Sequence, residues 1–217
     1  PETLPRDKRV PVNLRSLLRG ARVLFSDPVF MGLTFVGGFG MASFFVFIAS
    51  AYFVYSDAFG LSPVQFSLAF AVNGIGFFGA SQLAGPLGGR FGMVPVMRVA
   101  VMGFALFGCT LLALTLAGLG SLPVIISFLF LGNACLGLVI PTTMVMALDD
   151  HGDIAGLASS LGGSLQMLAG GIMITLTAPF FDGTALPMAA AIAFCAVAAM
   201  VLALMVLPRV VIRPEAA

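Results

Sequence analysis

Residues 189–207 read AAAIAFCAVAAMVLALMVL, nineteen consecutive apolar residues with no glycine, proline or charge among them. A strand of a membrane barrel would alternate apolar and polar side chains over about ten residues, whereas this run is apolar on every side. An α-helix needs about 20 apolar residues to cross a hydrocarbon core of about 30 Å. The run therefore predicts a transmembrane helix.

The composition of the whole chain extends this prediction to an integral membrane protein. Of its 217 residues, 60% are hydrophobic and 9% are charged, whereas soluble domains carry about 25% charged residues. A soluble fold of this size would expose a largely apolar surface to water. The three cysteines all lie inside apolar runs and are odd in number, which argues against a disulfide framework.

Six apolar stretches separated by turn residues predict an all-α bundle of six transmembrane helices. The predicted spans are residues 28–55, 63–85, 93–118, 122–147, 154–181 and 186–208. Residues 1–27 are predicted to form a cytoplasmic linker and an interfacial helix, and residues 209–217 a cytoplasmic tail. Ser62 and Gln65 form a capping-box pattern at the start of the second span, while Ser121 and Asp153 are candidate caps of the fourth and fifth.

All ten basic residues fall on one side of the predicted spans. They are Arg6, Lys8, Arg9, Arg15, Arg19, Arg22, Arg90, Arg98, Arg209 and Arg213. The loops on the opposite side contain no basic residue. Because cytoplasmic loops of membrane proteins carry an excess of Lys and Arg, both ends of the chain are predicted to lie in the cytoplasm.

Residues 13–25 predict an amphipathic helix at the membrane surface. One helical face carries Leu14, Leu17, Leu18, Ala21 and Phe25, and the arginines of this stretch point towards the other. Two interpretations remain open. The helix anchors the chain on anionic lipid, or it docks a partner and regulates the protein.

The middle of the predicted spans contains no Asp, Glu, Lys, Arg or His, the residues that usually mark proton relays in membranes. Three carboxamides lie there instead, Asn73, Asn133 and Gln166, about eleven to thirteen residues into the second, fourth and fifth spans. Polar groups at that depth are expected to face protein or water. The third and sixth spans have no comparable group, so these two are predicted to face lipid.

An aromatic stripe follows one face of the second span at positions i, i+4, i+7 and i+11. Its members are Phe66, Phe70, Asn73 and Phe77. In the first span, Phe45, Tyr52 and Tyr55 fall on a similar stripe, although Tyr55 also fits an aromatic belt at the interface. Helix packing and the lining of a ligand site both explain such stripes, and both interpretations stay open.

Gly156, Gly163 and Gly170 recur every seven residues in the fifth span. Small residues on one stripe allow two helix backbones to approach closely. The stripe predicts either static packing or a sliding surface for a moving helix.

The segment Asp149-Asp150-His151-Gly152-Asp153 holds the only histidine and the only acidic cluster. Its spacing does not match a metal site, and no metal is expected. These carboxylates are predicted to be solvated, or to pair with Arg90 or the basic interfacial helix during gating. The chain also lacks a Walker loop, a nucleophile elbow and a dinucleotide fingerprint, which argues against ATP-driven transport and against an enzyme.

Four segments together resemble the Bcr/CflA-type multidrug efflux transporters of the major facilitator superfamily. They are Phe59-Gly-Leu-Ser-Pro-Val-Gln-Phe66, Phe70-Ala-Val-Asn-Gly74, Gly85-Pro-Leu-Gly-Gly-Arg-Phe-Gly92 and Ala155-Gly-Leu-Ala-Ser-Ser-Leu-Gly-Gly-Ser-Leu-Gln166. The opening residues 1–9 resemble the start of that family's central cytoplasmic loop. The resemblance implies that the chain is the carboxy-terminal six-helix half of such a transporter.

The segment from Gly85 to Gly92 resembles the superfamily's loop motif Gly-x-x-x-Asp-Arg-x-Gly. Gly85, Arg90 and Gly92 match it and are expected to take part in gating, but Gly89 stands where the motif has Asp. That departure puts an Asp-Arg charge latch in doubt.

The resemblance further implies that the first, second, fourth and fifth spans line a central cavity, with the third and sixth outside. The substrate-facing residues would be Phe45, Tyr52, Phe70, Asn73, Phe77, Asn133 and Gln166. The expected function is proton-coupled export of moderately apolar xenobiotics by alternating access, in a bacterial inner membrane. The proton-coupling carboxylate in such antiporters typically lies in the amino-terminal half.

Expected partners are the lipid bilayer, a small-molecule drug and the amino-terminal half, with no nucleic acid. No cofactor is expected, because the proton gradient supplies the energy. The alternatives are a sugar or metabolite exporter of the same superfamily and a non-transporting or self-assembling half-size membrane subunit.

Overall fold

The computed structural model describes residues 14–212, and every described element is helical. The predictions made for the linker before residue 14, including Arg6, Lys8 and Arg9, and for Arg213 lie outside the described residues. The seven α-helices are α1 Leu14–Ser26, α2 Pro28–Tyr52, α3 Pro63–Phe91, α4 Met93–Leu116, α5 Leu122–Asp149, α6 Ala155–Thr177 and α7 Leu186–Ile212.

Six of these helices, α2 to α7, are long and apolar enough to cross a membrane, which agrees with the predicted all-α bundle. Several boundaries differ from the prediction, and α7, for example, continues to Ile212 instead of ending at residue 208. The first span continues past α2 through a π-helical segment, Phe53–Ala58. The second continues to Phe91 instead of ending at residue 85, so Gly85 and Arg90 belong to α3 and not to a loop.

Local sequence explains where the helices begin. Ser62 and Gln65 form the capping box at the start of α3: the Gln65 amide N–H donates to Ser62 Oγ at 3.4 Å and the Ser62 N–H to Gln65 Oε1 at 3.0 Å. Asp27 caps α2, because its Oδ1 accepts from the Val29 N–H at 2.7 Å. Ser121 occupies the N-cap position of α5 as predicted, although its side chain makes no capping hydrogen bond. The prediction for Asp153 is wrong, because Ile154 occupies the cap position of α6.

The centre of the bundle is α2, which packs closely against α6, α7 and α5. On the outer side α4 packs against α5 and α7, and α3 packs mainly against α5. The backbones of α2 and α3, although consecutive in the chain, scarcely approach each other. This arrangement leaves a wedge between α2 and α3 that side chains must fill.

Exposure within the segment is greatest on α3 and α6, whereas α4 and α7, the third and sixth spans, are more buried by their neighbours; that these two face lipid stays a prediction. In the most apolar window of each span, 50% of the α7 residues are buried, against 17% for α3 and 22% for α6. The reason is an alanine stripe on α7, which lets α2 and α4 approach closely. Its buried members are Ala189, Ala196, Ala199 and Ala203. The burial of α7 therefore reflects how closely its alanines let the neighbouring helices pack.

The predicted glycine stripe of α6 is only partly correct. A Cβ on Gly170 would collide with the Phe45 ring of α2, but Gly156 and Gly163 face open space. The buried stripe of α6 instead follows a four-residue spacing through Ala158, Gly162, Gln166 and Gly170. With 100° per residue, the four-residue row turns by about +40° per step and the seven-residue row by about −20°, so the two rows diverge from their shared Gly170 and only the first follows the contact.

The closest approach of α3 and α5 depends on Gly137. A Cβ at this position would collide with the carbonyl oxygen of Phe77 and lie 3.1 Å from the backbone nitrogen of Ser81. Both groups belong to the α3 backbone and cannot rotate away. We expect Gly137→Ala to lower the free energy of unfolding by about 1–3 kcal/mol, because it forces the two helices apart.

The matched control is Gly132→Ala on the same helix, where an added Cβ has no neighbour within 4 Å. Alanine is a better helix former than glycine by roughly 0.5–1 kcal/mol, so this variant should be neutral or stabilising. Unfolding of the purified protein in mixed detergent micelles measures both changes. Equal stability of the two variants would contradict the role given to Gly137.

Candidate functional site

A buried chain of polar side chains connects three helical elements. The Asn73 amide of α3 donates from Nδ2 to the Tyr55 hydroxyl at 3.3 Å and to the Ala69 carbonyl at 3.0 Å. The Asn133 amide of α5 donates from Nδ2 to Asn73 Oδ1 at 3.4 Å. Tyr55 and Asn73 are fully enclosed and Asn133 is nearly so. In an apolar interior this chain ties α3 to α5 and to the end of the first span.

The π-helical segment Phe53–Ala58 determines where Tyr55 points. A π-turn widens the helix by one residue per turn and changes the direction of the side chains that follow. The backbone then turns back at Gly60, whose φ of +69° is open to glycine at little cost, and the Leu61 N–H donates to the Tyr55 carbonyl at 3.1 Å. Tyr55 is consequently buried, whereas an interfacial position was the alternative from sequence.

Aromatic rings fill the wedge between α2 and α3. Phe44 stacks on Phe77 with ring centroids 4.6 Å apart, and Phe47 stacks on Phe70 at 5.4 Å. Nearer the π-helical end, the Phe66 ring lies 5.6 Å from that of Tyr52. We call these six side chains the aromatic ladder: Phe44, Phe47, Tyr52, Phe66, Phe70 and Phe77.

The ladder differs from an ordinary helix interface because the two backbones behind it are not in close contact. Of its members Phe47 is buried, Tyr52 is 55% exposed and the rest are partly exposed. Rings that fill a space between separated helices can change rotamer without breaking backbone packing. The ladder is thus a set of stacked, mostly partly exposed rings between two helices whose backbones stay apart.

Gln166 lies apart from the two asparagines. Its side-chain amide sits over Gly37 of α2 and beside Thr143 of α5, so that a Cβ on Gly37 would lie 2.5 Å from Gln166 Nε2 and 2.8 Å from Thr143 Oγ1. Thr143 is ten residues beyond Asn133 on α5, which corresponds to about 15 Å along the helix. The three predicted carboxamides therefore form two groups at different depths.

The Gln166 amide has no hydrogen-bond partner among residues 14–212, although only 5% of the residue is exposed. The nearby Thr143 hydroxyl donates to the Ile140 carbonyl at 2.8 Å. An amide carries two donor hydrogens and an accepting oxygen. Its position therefore leaves hydrogen-bonding capacity at the junction of α2, α5 and α6.

The remaining predicted site residues are dispersed. Phe45 packs against Gly170 and lies outside the ladder. Gly85 and Arg90 are exposed on the last two turns of α3, and the Arg90 guanidinium lies 5.2 Å from the Phe91 ring centre. Gly92 ends α3 with a φ of +86°, a conformation that a side chain disfavours.

His151 does not pair with the carboxylates beside it in the sequence. Its Nε2 lies 3.1 Å from Asp27 Oδ2, and its ring meets Phe30 edge-on with centroids 5.5 Å apart. The turn after α5 is thereby linked to the start of α2. No group of three His, Cys, Asp or Glu side chains within residues 14–212 is arranged to hold a metal ion.

Sequence reasoning missed Phe44 and Phe47 as ladder members, the central role of Tyr55, and Asp27. A signal existed for Asp27, since it precedes Pro28 in the pattern of a helix cap. The substrate contacts predicted for the three carboxamides stay predictions. In this structure Asn73 and Asn133 bind each other, whereas the Gln166 side chain makes no hydrogen bond among residues 14–212.

The family model described as Major Facilitator Superfamily matches residues 1–174. The chain is 32% identical over 189 residues to an uncharacterized MFS-type transporter, YdgK, of Bacillus subtilis (strain 168), covering 87% of the chain and 46% of that protein. It is 28% identical over 197 residues to a bicyclomycin resistance protein homolog of Haemophilus influenzae (strain ATCC 51907 / DSM 11121 / KW20 / Rd), covering 91% of the chain and 49% of that protein. The chain thus spans about half the length of the curated relatives it matches.

A double-mutant cycle tests the polar chain. Asn73→Ala and Asn133→Ala should be less than additive, with a coupling energy of about 0.6 kcal/mol and at most about 1.7 kcal/mol, because either change already breaks their shared hydrogen bond. Unfolding in mixed micelles gives the four stabilities. The control cycle pairs Asn133→Ala with Gln166→Ala, which share no hydrogen bond and should be additive. Equal coupling in both cycles would remove the evidence for the chain.

Proposed function

The chain belongs to the Major Facilitator Superfamily, and from this membership we propose that it is the carboxy-terminal six-helix half of a proton-coupled multidrug efflux transporter. Its length relative to its relatives supports a half, and the printed name of the bicyclomycin resistance homolog supports an exported antibiotic. The transporter works by alternating access, in which two bundles rock around a site near the middle of the membrane.

The observation that carries the substrate class is the aromatic ladder. Phe70 and Phe77 stack on Phe47 and Phe44 across the wedge between α2 and α3, where the two backbones are not in close contact, and both rings stay partly exposed. Aromatic surfaces bind flat apolar molecules through area and stacking without requiring one fixed geometry. The proposed substrates are moderately apolar xenobiotics, including antibiotics.

The polar residues divide into two roles. Gln166, whose amide keeps unused donors, hydrogen-bonds the polar groups of a substrate as it passes α2 and α5. Asn73 and Asn133 do not contact the substrate. Their hydrogen bond holds α3 against α5, which keeps the ladder rings of α3 in position. Tyr52, which is exposed beside Phe66, supplies a hydroxyl at the outer end. Phe45 is a substrate contact only if α2 and α6 separate.

Energy coupling requires a group that this segment does not place at mid-membrane. Within residues 14–212 every Asp, Arg and His in a candidate span lies near a span end, as Asp57, Arg98 and Asp149 illustrate. A proton carrier in such a transporter is a buried ionisable side chain. We assign it to the amino-terminal half, which is the partner of this bundle, in the inner membrane with both ends of this segment cytoplasmic.

Proton-driven efflux from vesicles tests the proposal. A pH gradient across vesicles containing the full-length transporter should drive export of bicyclomycin and of aromatic cationic dyes, and a protonophore should abolish it. This segment alone should show no transport. Transport by the segment alone would favour a self-assembling half, and export of sugars but not of drugs would favour a metabolite exporter.

Variants of the ladder test the site. Phe70→Ala and Phe77→Ala should each raise the apparent KM for an aromatic dye about twofold to tenfold, since a ring pair contributes about 0.5–1.5 kcal/mol beyond its area. Phe194→Ala is the control, because that ring is 59% exposed on α7 away from the ladder. A purely structural role would lower the maximal rate for every substrate equally and leave KM unchanged. That result, at equal protein level, would contradict the assignment.

A further inference from the structure

The interfacial helix α1 forms one wall of a cleft that the proposed transport site does not use. The cleft is shallow and open on one side, has a volume of about 530 Å³ and lies where α1, the start of α2 and the turn after α5 meet. Its lining includes Arg19, Arg22, Val23, Ser26, Asp27 and His151. From its charge and its place on the helix, we propose that this cleft binds the phosphate headgroup of an anionic phospholipid.

The charge of the cleft favours an anion. Arg19 and Arg22 are exposed, and neither guanidinium has a carboxylate partner among the residues that the structure describes. The one carboxylate in the lining, Asp27, is already engaged: Oδ1 accepts from the Val29 N–H, and Oδ2 faces His151 Nε2 at 3.1 Å. Two guanidinium groups therefore remain to hold a phosphate, a group that arginine binds with paired hydrogen bonds.

The surface of α1 identifies a lipid as the source of that phosphate. The helix docks through Gly20 and Leu24, which are buried, and Gly20 meets the Leu157 side chain of α6. A second stripe stays apolar and open, with Leu14 73%, Leu18 64% and Phe25 52% exposed. The helix has no protein cover for this stripe within residues 14–212. Such a stripe is suited to the boundary between headgroups and acyl chains.

The arginine stripe lies about a quarter turn around α1 from the open apolar stripe. With 100° per residue, Arg15, Arg19 and Arg22 follow one line, and Leu14, Leu18 and Phe25 follow another about 100° away. When the apolar stripe rests among the upper acyl carbons, the guanidiniums reach phosphate depth. Only Asp27 separates α1 from the first membrane span, so α1 must lie near the membrane boundary. A soluble phosphate would make no use of the apolar stripe.

Lipid retention measured by native mass spectrometry of the intact purified protein tests the site. Phosphatidylglycerol should be retained in preference to phosphatidylcholine with the same acyl chains. The double variant Arg19→Gln/Arg22→Gln should bind phosphatidylglycerol about 25-fold more weakly, at about fivefold for each arginine near the membrane surface. Arg19→Lys/Arg22→Lys keeps the charge and should retain the preference for the anionic lipid.

The control is Arg98→Gln/Arg209→Gln, which removes the same charge from exposed positions outside the cleft. It should leave retention unchanged, and an equal loss would show general surface attraction in place of a site. Ser26→Trp fills the cleft without changing its charge and should also weaken binding; unchanged retention would overturn the proposal. Release of the lipid by excess inorganic phosphate would assign the cleft to soluble phosphate. The test does not depend on the transported substrate, so its failure leaves the proposed function intact.

Discussion

Hydrocarbon provides no hydrogen-bond partner, so polar groups within the spans are stabilised by partners inside the protein, and among the three carboxamides Gln166 is the exception within residues 14–212. Helices satisfy the backbone, and several hydroxyls return to it, as Ser50 Oγ does by donating to the Val46 carbonyl at 2.6 Å. A hydrogen bond to one backbone carbonyl does not satisfy a side-chain amide, because each amide has two donor hydrogens and an accepting oxygen. Asn73 and Asn133 therefore pair with each other across α3 and α5. This hydrogen bond holds α3 against α5 and not against α2, which agrees with the wedge between α2 and α3.

The need for hydrogen-bond partners also distinguishes two regions on either side of the aromatic ladder, one held by hydrogen bonds and one held by ring stacking. Behind the aromatic ladder, hydrogen bonds and the close contact at Gly137 hold α3 on α5. In front of it, rings such as Phe70 and Phe77 are held by stacking and apolar contact, which have weak directional requirements. The proposed transporter, which accepts several apolar molecules, would need both properties: a rigid layer that preserves the bundle and rings that rearrange around the substrate.

The sequence was sufficient for features that depend on one helix at a time. Apolar run length predicted the six membrane helices, and the spacing of Ser62 and Gln65 predicted a capping box. It was not sufficient for features that depend on which helices are neighbours. Periodicity places Asn73 and Gln166 on helical faces, but it does not tell that one meets Asn133 and the other lies over Gly37. Nor does chain order show that consecutive α2 and α3 are separated.

The surface that this segment leaves exposed is concentrated on α3 and α6, and this is where a second bundle would pack in the proposed transporter. In the most apolar window of each span, only 17% of the α3 residues and 22% of the α6 residues are buried, whereas 56% are buried in the span that contains α2. The aromatic ladder lies along α3, at the edge of this open surface. In the proposed transporter, a second bundle seated on α3 and α6 would enclose the ladder without covering α4 and α7. A carboxylate brought by that bundle would then face the ring surfaces from the opposite side, so that substrate and proton could compete for one enclosed space.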